Sequence, residues 1–150
     1  MCFRLIYLGF KIYCFIFRPV RIGVRVMMIR DNKVWLVRHT YVHGWYMPGG
    51  GVKRGETLAN AARRETLEET GAQLGEINFL GVYTNFIEWK TDHAIVFICR
   101  DFTIIGGSDG EIAEVGAFSL DDLPLDVYPP HRLRLDEVRA GKNIPQFGEW

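Results

Sequence analysis

Glu65, Glu68 and Glu69 lie in the stretch MPGGGVKRGETLANAARRETLEETGA, Met47 to Ala72. At offsets i, i+3 and i+4, an α-helix places all three carboxylates on neighbouring positions of one side. Like charges at that spacing repel, so the pattern calls for a counter-charge. On a wheel of about 100° per residue, Leu58, Ala61, Ala62, Glu68 and Glu69 fall within about 60° of Glu65. Asn60, Arg63 and Leu67 fall opposite, with Thr70 near them. The glutamates therefore share the face whose small apolar residues turn inward, the reverse of a solvated acidic stripe paired to Arg63 and Arg64. Arg64 precedes Glu68 by four residues, yet one arginine does not balance three inward carboxylates. A divalent cation does, and clustered oxygen donors on a rigid helix are what Mg²⁺ or Mn²⁺ requires.

The loop before this helix supports that chemistry. Pro48-Gly49-Gly50-Gly51 removes side chains, so the backbone can approach an ion or ligand. Gly55 closes the turn, and Thr57 is a suitable helix N-cap. A triple glycine alone is more often a flexible turn; at this distance from three carboxylates it marks a site.

These residues resemble the Nudix box, whose pattern is G, five residues, E, seven residues, then R-E-U-x-E-E-x-G-U with U aliphatic. Gly50, Glu56, Arg64, Glu65, Glu68, Glu69, Gly71 and Ala72 fill it, after a PGG lead-in. Thr66 departs from the pattern by standing at an aliphatic position, where it should alter stability and leave chemistry alone. The box spans 23 residues, Gly50 to Ala72, and the strands around it follow the family's order. The resemblance implies an α/β Nudix fold, an α/β/α sandwich with a mixed β-sheet. It also implies a metal-dependent pyrophosphohydrolase that cleaves a nucleoside diphosphate linked to another moiety, a nucleoside triphosphate or a nucleotide sugar such as ADP-ribose, by water attack on phosphorus. On the same ground Gly50, Glu65, Glu68 and Glu69 hold Mg²⁺ (or Mn²⁺), Arg64 orients the glutamates, and Glu56 braces the loop. A general base comes from Glu65 or from the segment GGSDGEIAEVGAFSL, where Nudix enzymes often recruit a glutamate. There Glu111, next to Gly110, can swing toward a phosphate, whereas Glu114 lies one residue before a strand expected from Val115; a plain polar turn suits the composition equally. The alternative is a non-catalytic nucleotide-binding sensor, a role in which a core glutamate is often lost; all are present here.

Substrate groups must come from outside the box. Arg38 ends a strand face shared with Val34 and Leu36, near the glycine loop, where a phosphate could meet it. Arg25 is a second candidate on the neighbouring strand. Trp45, Tyr46, Phe86 and Trp89 offer flat surfaces for a base, although large aromatics are more often core. His39, His43, His93 and His131 show no metal-ligand spacing.

The surrounding elements must position these groups. The chain has 150 residues, 48% of them hydrophobic, which suits one domain with a substantial core. Eighteen basic and eighteen acidic residues cancel, so no long-range field marks a nucleic-acid binder, no nucleic-acid partner is expected, and an anionic nucleotide must be held locally. Cys2, Cys14 and Cys99 form no CxxC pair, which fits a reducing, cytoplasmic setting. Residues 19–150 read as the single Nudix domain. VRIGVRVMMIRDNKVWLVRHT is a hairpin turning at Asp31-Asn32-Lys33, INFLGVYTNFIEW and DHAIVFICRDFTI are two strands, EVGAFSL is a short one, and PPHRLRLDEVRAG is a helix with Gly141 past its end. Residues 1–18 form a separate apolar, helical segment, too short to span a bilayer and without a cleavage pattern. Arg4, Lys11 and Arg18 recur every seventh position. A helix packed on its own domain or across a homodimer is favoured for it, with peripheral membrane contact as the alternative.

Overall fold

The computed structural model describes residues 2–141 and 146–150. In chain order the elements are α1 (Cys2–Phe17), β1 (Val20–Arg30), β2 (Lys33–His39), α2 (Leu58–Thr70), β3 (Ala72–Leu74), β4 (Ile77–Ile87), β5 (Lys90–Cys99), β6 (Phe102–Ile104), β7 (Ile112–Ser119), α3 (Pro129–Arg139) and β8 (Gln146–Glu149). Six strands make one mixed sheet in the order β7-β2-β1-β5-β4-β8, and β3 pairs with β6 in a small second sheet. β1 and β5 run parallel, as do β4 and β8; the other neighbours are antiparallel.

Both faces of the large sheet are covered, so its central strands are apolar on both sides. Along β1, Val24, Val26 and Met28 face α2 together with Ile95, Phe97 and Cys99 of β5. Met27 and Ile29 face the other way, with Val96, Ile98 and the α3 residues Leu135 and Val138. The strand period of two thus feeds two cores, and the sandwich expected from the sequence is the one observed.

Several boundaries differ from the sequence reading. The first hairpin turns on two residues only, Asp31 and Asn32, at φ 52° and 58°, while Lys33 already pairs with Arg30; such a turn matches the strand twist, and Asp and Asn tolerate it. DHAIVFICRDFTI does not continue as one strand. It starts earlier, at Lys90, and breaks after Cys99, where the Asp101 carbonyl accepts from the Gly75 N–H at 2.7 Å and β6 turns away to β3. β7 begins at Ile112, so Glu114 is inside the strand. β3 and β8, of three and four residues, are too short to show a period. β4 and β5 are joined by Glu88 and Trp89, both at positive φ (47° and 66°); for a tryptophan that conformation costs roughly 1–3 kcal/mol.

α1 meets its own domain over a narrow contact only. Among residues 6–17 only Cys14 is buried. The helix touches the domain chiefly at the β4–β5 turn: the Tyr7 hydroxyl donates to Glu88 at 2.6 Å, Lys11 lies 3.6 Å from the same carboxylate, and Phe15 meets Trp89 edge-on at 5.3 Å. No helix among the described residues is long and apolar enough to cross a membrane.

Candidate active site

α2 is fixed at both ends. Thr57 caps it, its Oγ1 accepting from the Asn60 N–H at 3.1 Å, and Gly71 ends it in the left-handed conformation. A side chain at Gly71 would strike the Gly106 carbonyl, 2.1 Å from an added Cβ. The glycine loop is laid along β1, where Val24 and Val26 donate to the Gly50 and Pro48 carbonyls, both at 2.9 Å. It also touches α2: Gly49 N–H donates to Glu69 Oε2 at 2.8 Å, and a Cβ on Gly50 would sit 2.5 Å from Glu65 Oε2. Glycine there is thus a condition for carboxylate and backbone to share the space.

The buried residues of α2 are Ala61, Ala62, Thr66, Glu69 and Thr70. The inward arc is therefore rotated toward Thr66 and Thr70, and away from Leu58 and Glu68, which are exposed. The helix lies against β1 and β3 on its small-residue side. Thr70 satisfies its hydroxyl by donating to the Thr66 carbonyl at 2.6 Å. The Thr66 hydroxyl, at the position where the pattern has an aliphatic residue, is buried without a partner.

Arg64 organises one half of the site. Its Nε and Nη2 donate to the two oxygens of Glu56 at 2.7 and 2.8 Å, and Nη1 reaches Glu65 at 2.5 Å and Glu68 at 3.3 Å. Glu56 also accepts from Lys53 N–H at 3.0 Å, the bracing role expected of it. The Arg64 hydrogen bonds hold the Glu56 carboxyl down at about 2, and Arg64 is itself raised by the same contacts.

Glu69 faces the other half, with His39 Nε2 4.0 Å from its carboxylate. Burial pushes its pKa up to about 7, with Glu65 and Asp109 adding to the shift and the Gly49 hydrogen bond and Arg25 opposing it. Arg25 donates to the Gly49 carbonyl, and burial lowers its pKa. His131 accepts the Met47 N–H on Nδ1 at 2.8 Å; burial holds it neutral, well below its usual value.

A cavity of about 620 Å³ opens between these groups, with Gly50, Glu65, Glu69, Arg25 and Glu111 on its walls and Tyr46, Tyr128, His131 and Trp150 along an aromatic side. Tyr46 and Tyr128 stack at 5.2 Å. Residues 19–138 match the family model described as the NUDIX domain. The chain belongs to the Nudix family. Over 62 residues it is 44% identical to an RNA pyrophosphohydrolase of Rickettsia bellii, a match covering 39% of this chain and 38% of that protein. Over 90 residues it is 32% identical to an RNA pyrophosphohydrolase of Xylella fastidiosa, covering 60% and 46%. This Nudix chain thus spans less than half the length of these curated relatives. A MutT NUDIX hydrolase from Burkholderia pseudomallei superposes with a TM-score of 0.70 at 26% identity, covering 79% of this chain and 98% of that one.

Of the residues read from the sequence, the Nudix fold brings Gly50, Glu65, Glu69, Arg25 and Glu111 to the cavity. Arg64 and Glu68 flank it. Arg38 does not reach it, being held by Glu114 at 3.4 Å and Asp126 at 3.6 Å and lying 4.4 Å over the Trp45 ring. The β2–β7 register shifts between Arg38 and His39, and His39 takes the cavity position. Trp45 is 3% exposed, a core residue packed on Phe118, and its neighbour Tyr46 takes the open side. Phe86 is 70% exposed but faces the opposite side of β4 from its cavity-lining neighbours Asn85 and Ile87. The sequence reading missed His131, Tyr128 and Trp150, which come from the start of α3, its N-cap and the residue just past β8 and carry no local signal; His39 was one register step from Arg38.

A divalent cation fits the donor types here: Glu65, Glu68, Glu69 and the Gly50 carbonyl are all hard oxygens, and Glu69 is a desolvated carboxylate lacking a full counter-charge. Among the described residues no three acidic, imidazole or thiol groups converge as they stand. Arg64 draws Glu65 and Glu68 to one side, while Glu69 turns to Gly49.

Proposed function

We propose that this Nudix domain hydrolyses the phosphoanhydride bond of a nucleoside diphosphate linked to another moiety, with Mg²⁺ or Mn²⁺. The observation that carries this reading is the complete Arg64-centred carboxylate set beside Gly50, opening on a cavity of nucleotide size. Glu65, Glu68, Glu69 and the Gly50 carbonyl would hold the cation. Its chemistry would be that of a Lewis acid, neutralising pyrophosphate oxygens and acidifying water.

The chain's own groups do the rest. Arg64 keeps Glu65 and Glu68 aimed by charge-assisted hydrogen bonds. Arg25, pinned to the Gly49 carbonyl, presents fixed positive charge toward phosphate oxygens. Water attacks phosphorus, its oxygen forms the new P–O bond, the bridging P–O bond breaks, and the leaving phosphate departs with that electron pair. The proton goes to a carboxylate. Glu65 is clamped by Arg64, whereas Glu111 stands exposed at the cavity edge and has no ion-pair partner among the described residues, so Glu111 fits the base better. Tyr46, Tyr128 and Trp150 replace Trp45 and Phe86 as the surfaces for a base.

The matched relatives are named RNA pyrophosphohydrolases, so the substrate panel includes a 5′-triphosphorylated RNA beside nucleoside triphosphates and ADP-ribose. Assayed with Mg²⁺ or Mn²⁺ and product mass, cleavage of a phosphoanhydride that stops in excess EDTA is expected. Tight nucleotide binding with no product from any substrate would instead establish the sensor reading.

A further inference from the structure

From Ile6 onward α1 exposes apolar side chains over most of its circumference, leaving only the stripe of Tyr7, Lys11 and Cys14 toward the domain. Ile6, Leu8, Ile12, Phe15, Ile16 and Phe17 are each 52–67% exposed, and at about 100° per residue they do not share one stripe. A folded second copy would cover a single face of such a helix. A fluid of acyl chains covers all of them. At 16 residues the helix is about 24 Å long, the scale of an interfacial element.

The apolar surface continues beyond the helix. Val20 and Ile22 at the start of β1, and Phe86 and Trp89 at the β4–β5 turn, are all exposed. Where these meet α1, a second cavity of about 420 Å³ is lined by Arg18, Phe86, Trp89 and Lys90. The charge on this side leans positive: Lys11, Arg18, Arg21 and Lys90 lie here against two acids. The nearby acids Glu88 and Asp92 are paired with Lys11, Lys90 and Arg21. Among the described residues Arg18 has no acidic partner.

We propose that α1 and the β4–β5 turn form a docking surface for an anionic lipid bilayer, with the apolar side chains at the acyl boundary and Arg18 toward the phosphate headgroups. Ile22 and Ile87 also line the active-site cavity, so docking sets that cavity's β4 end beside the headgroups. The surface stands independently of the hydrolase reading.

The test uses the full chain with vesicles of phosphatidylcholine alone and with about 30% phosphatidylserine, at low and high salt. The protein should sediment with anionic vesicles at low salt, with a blue-shifted tryptophan emission that Trp89→Phe removes. Binding should fall at least about tenfold in Phe15→Glu/Ile16→Glu and roughly fivefold in Arg18→Gln. Thermal unfolding of the variants checks their fold, and the wild-type sedimentation and emission decide the matter should a variant fail to fold. A wild-type chain that stays in the supernatant with both vesicle types overturns the proposal. So does a stable dimer that Phe15→Glu/Ile16→Glu converts to monomer, which would assign the surface to a second copy.

Discussion

α1 and α2 break the same rule in opposite directions. α2 turns a carboxylate, Glu69, into the protein and keeps Leu58 and Leu67 outside; α1, from Ile6 onward, keeps every apolar side chain but Cys14 outside. In a helix that serves only to close a core, the apolar stripe faces in and the charges face out. α2 departs from that because Glu69 lies on its inward arc, against the glycine loop, and the cost of desolvating it shows in its raised pKa. α1 departs because the domain covers only its Cys14 side and leaves most of its apolar surface open. On the two proposals, one departure serves a small ligand inside and the other a surface outside.

The largest effect should follow from removing the inward charge. Glu69→Gln is isosteric and keeps an acceptor for the Gly49 N–H, so the fold should survive while kcat falls by about two to four orders of magnitude, the scale of losing a positioned ionised group. Near-normal turnover in this variant would remove Glu69 from the site and leave α2 an ordinary helix.

Next comes the stability of the metal-free protein. The Glu69 carboxyl titrates at about 7 in the folded chain against 4.5 for its unperturbed value, so between those pH values the folded state binds more protons than the unfolded one. Stability is therefore full below about pH 4.5 and lost as pH rises through 7, by up to about 3 kcal/mol. In excess EDTA, Glu69→Gln should be more stable than wild type at pH 8 and nearly equal to it at pH 4. Parallel melting curves at the two pH values would show that burial does not strain this carboxylate.

What the sequence revealed follows the same division. The box residues were legible because their spacing is dictated by one helix and one loop, so Glu65, Glu69 and Gly50 could be placed together from local geometry. The inward arc was legible only to within a turn. A wheel centred on Glu65 put Thr70 outside, whereas packing against β1 and β3 rotated the arc toward Thr66 and Thr70. Arg38 and Trp45 were misplaced because a register shift at the end of β2 and the choice between adjacent Trp45 and Tyr46 are tertiary matters with no local pattern. His131 and Trp150 reach the cavity only through long-range folding. For α1, composition suggested a helix, and nothing in its sequence told whether the domain would cover it.

A pair of glycines extends the comparison at smaller scale. Gly71 has φ 68° and the Gly106 carbonyl 2.1 Å from a built Cβ, while Gly9 has nothing within 4 Å. Gly71→Ala should destabilise the chain by about 2 kcal/mol or more through the clash and the left-handed backbone. Gly9→Ala should leave the thermal transition within about 0.5 kcal/mol, because the better helix former acts on a helix that barely touches the core. Equal losses at the two sites would mean that α1 is as tightly built in as α2.

A small effect is also expected from deleting residues 1–17. Of the side chains from residue 6 onward, only Cys14 becomes buried, and the remaining contacts are few. The Lys11–Glu88 pair is solvent-exposed, worth between zero and about 1 kcal/mol, and the Phe15–Trp89 edge contact adds about 1 kcal/mol beyond its area. Against these, the truncated chain no longer holds an apolar helix in water, so its solubility should rise. The net change for a chain of this size should be a Tm lower by no more than about 4 °C, with one cooperative transition retained. Differential scanning calorimetry of the deletion and the full chain reads this directly. A drop well beyond that would show that α1 packs against the domain or a second copy, which would return it to the ordinary amphipathic rule and remove the contrast with α2.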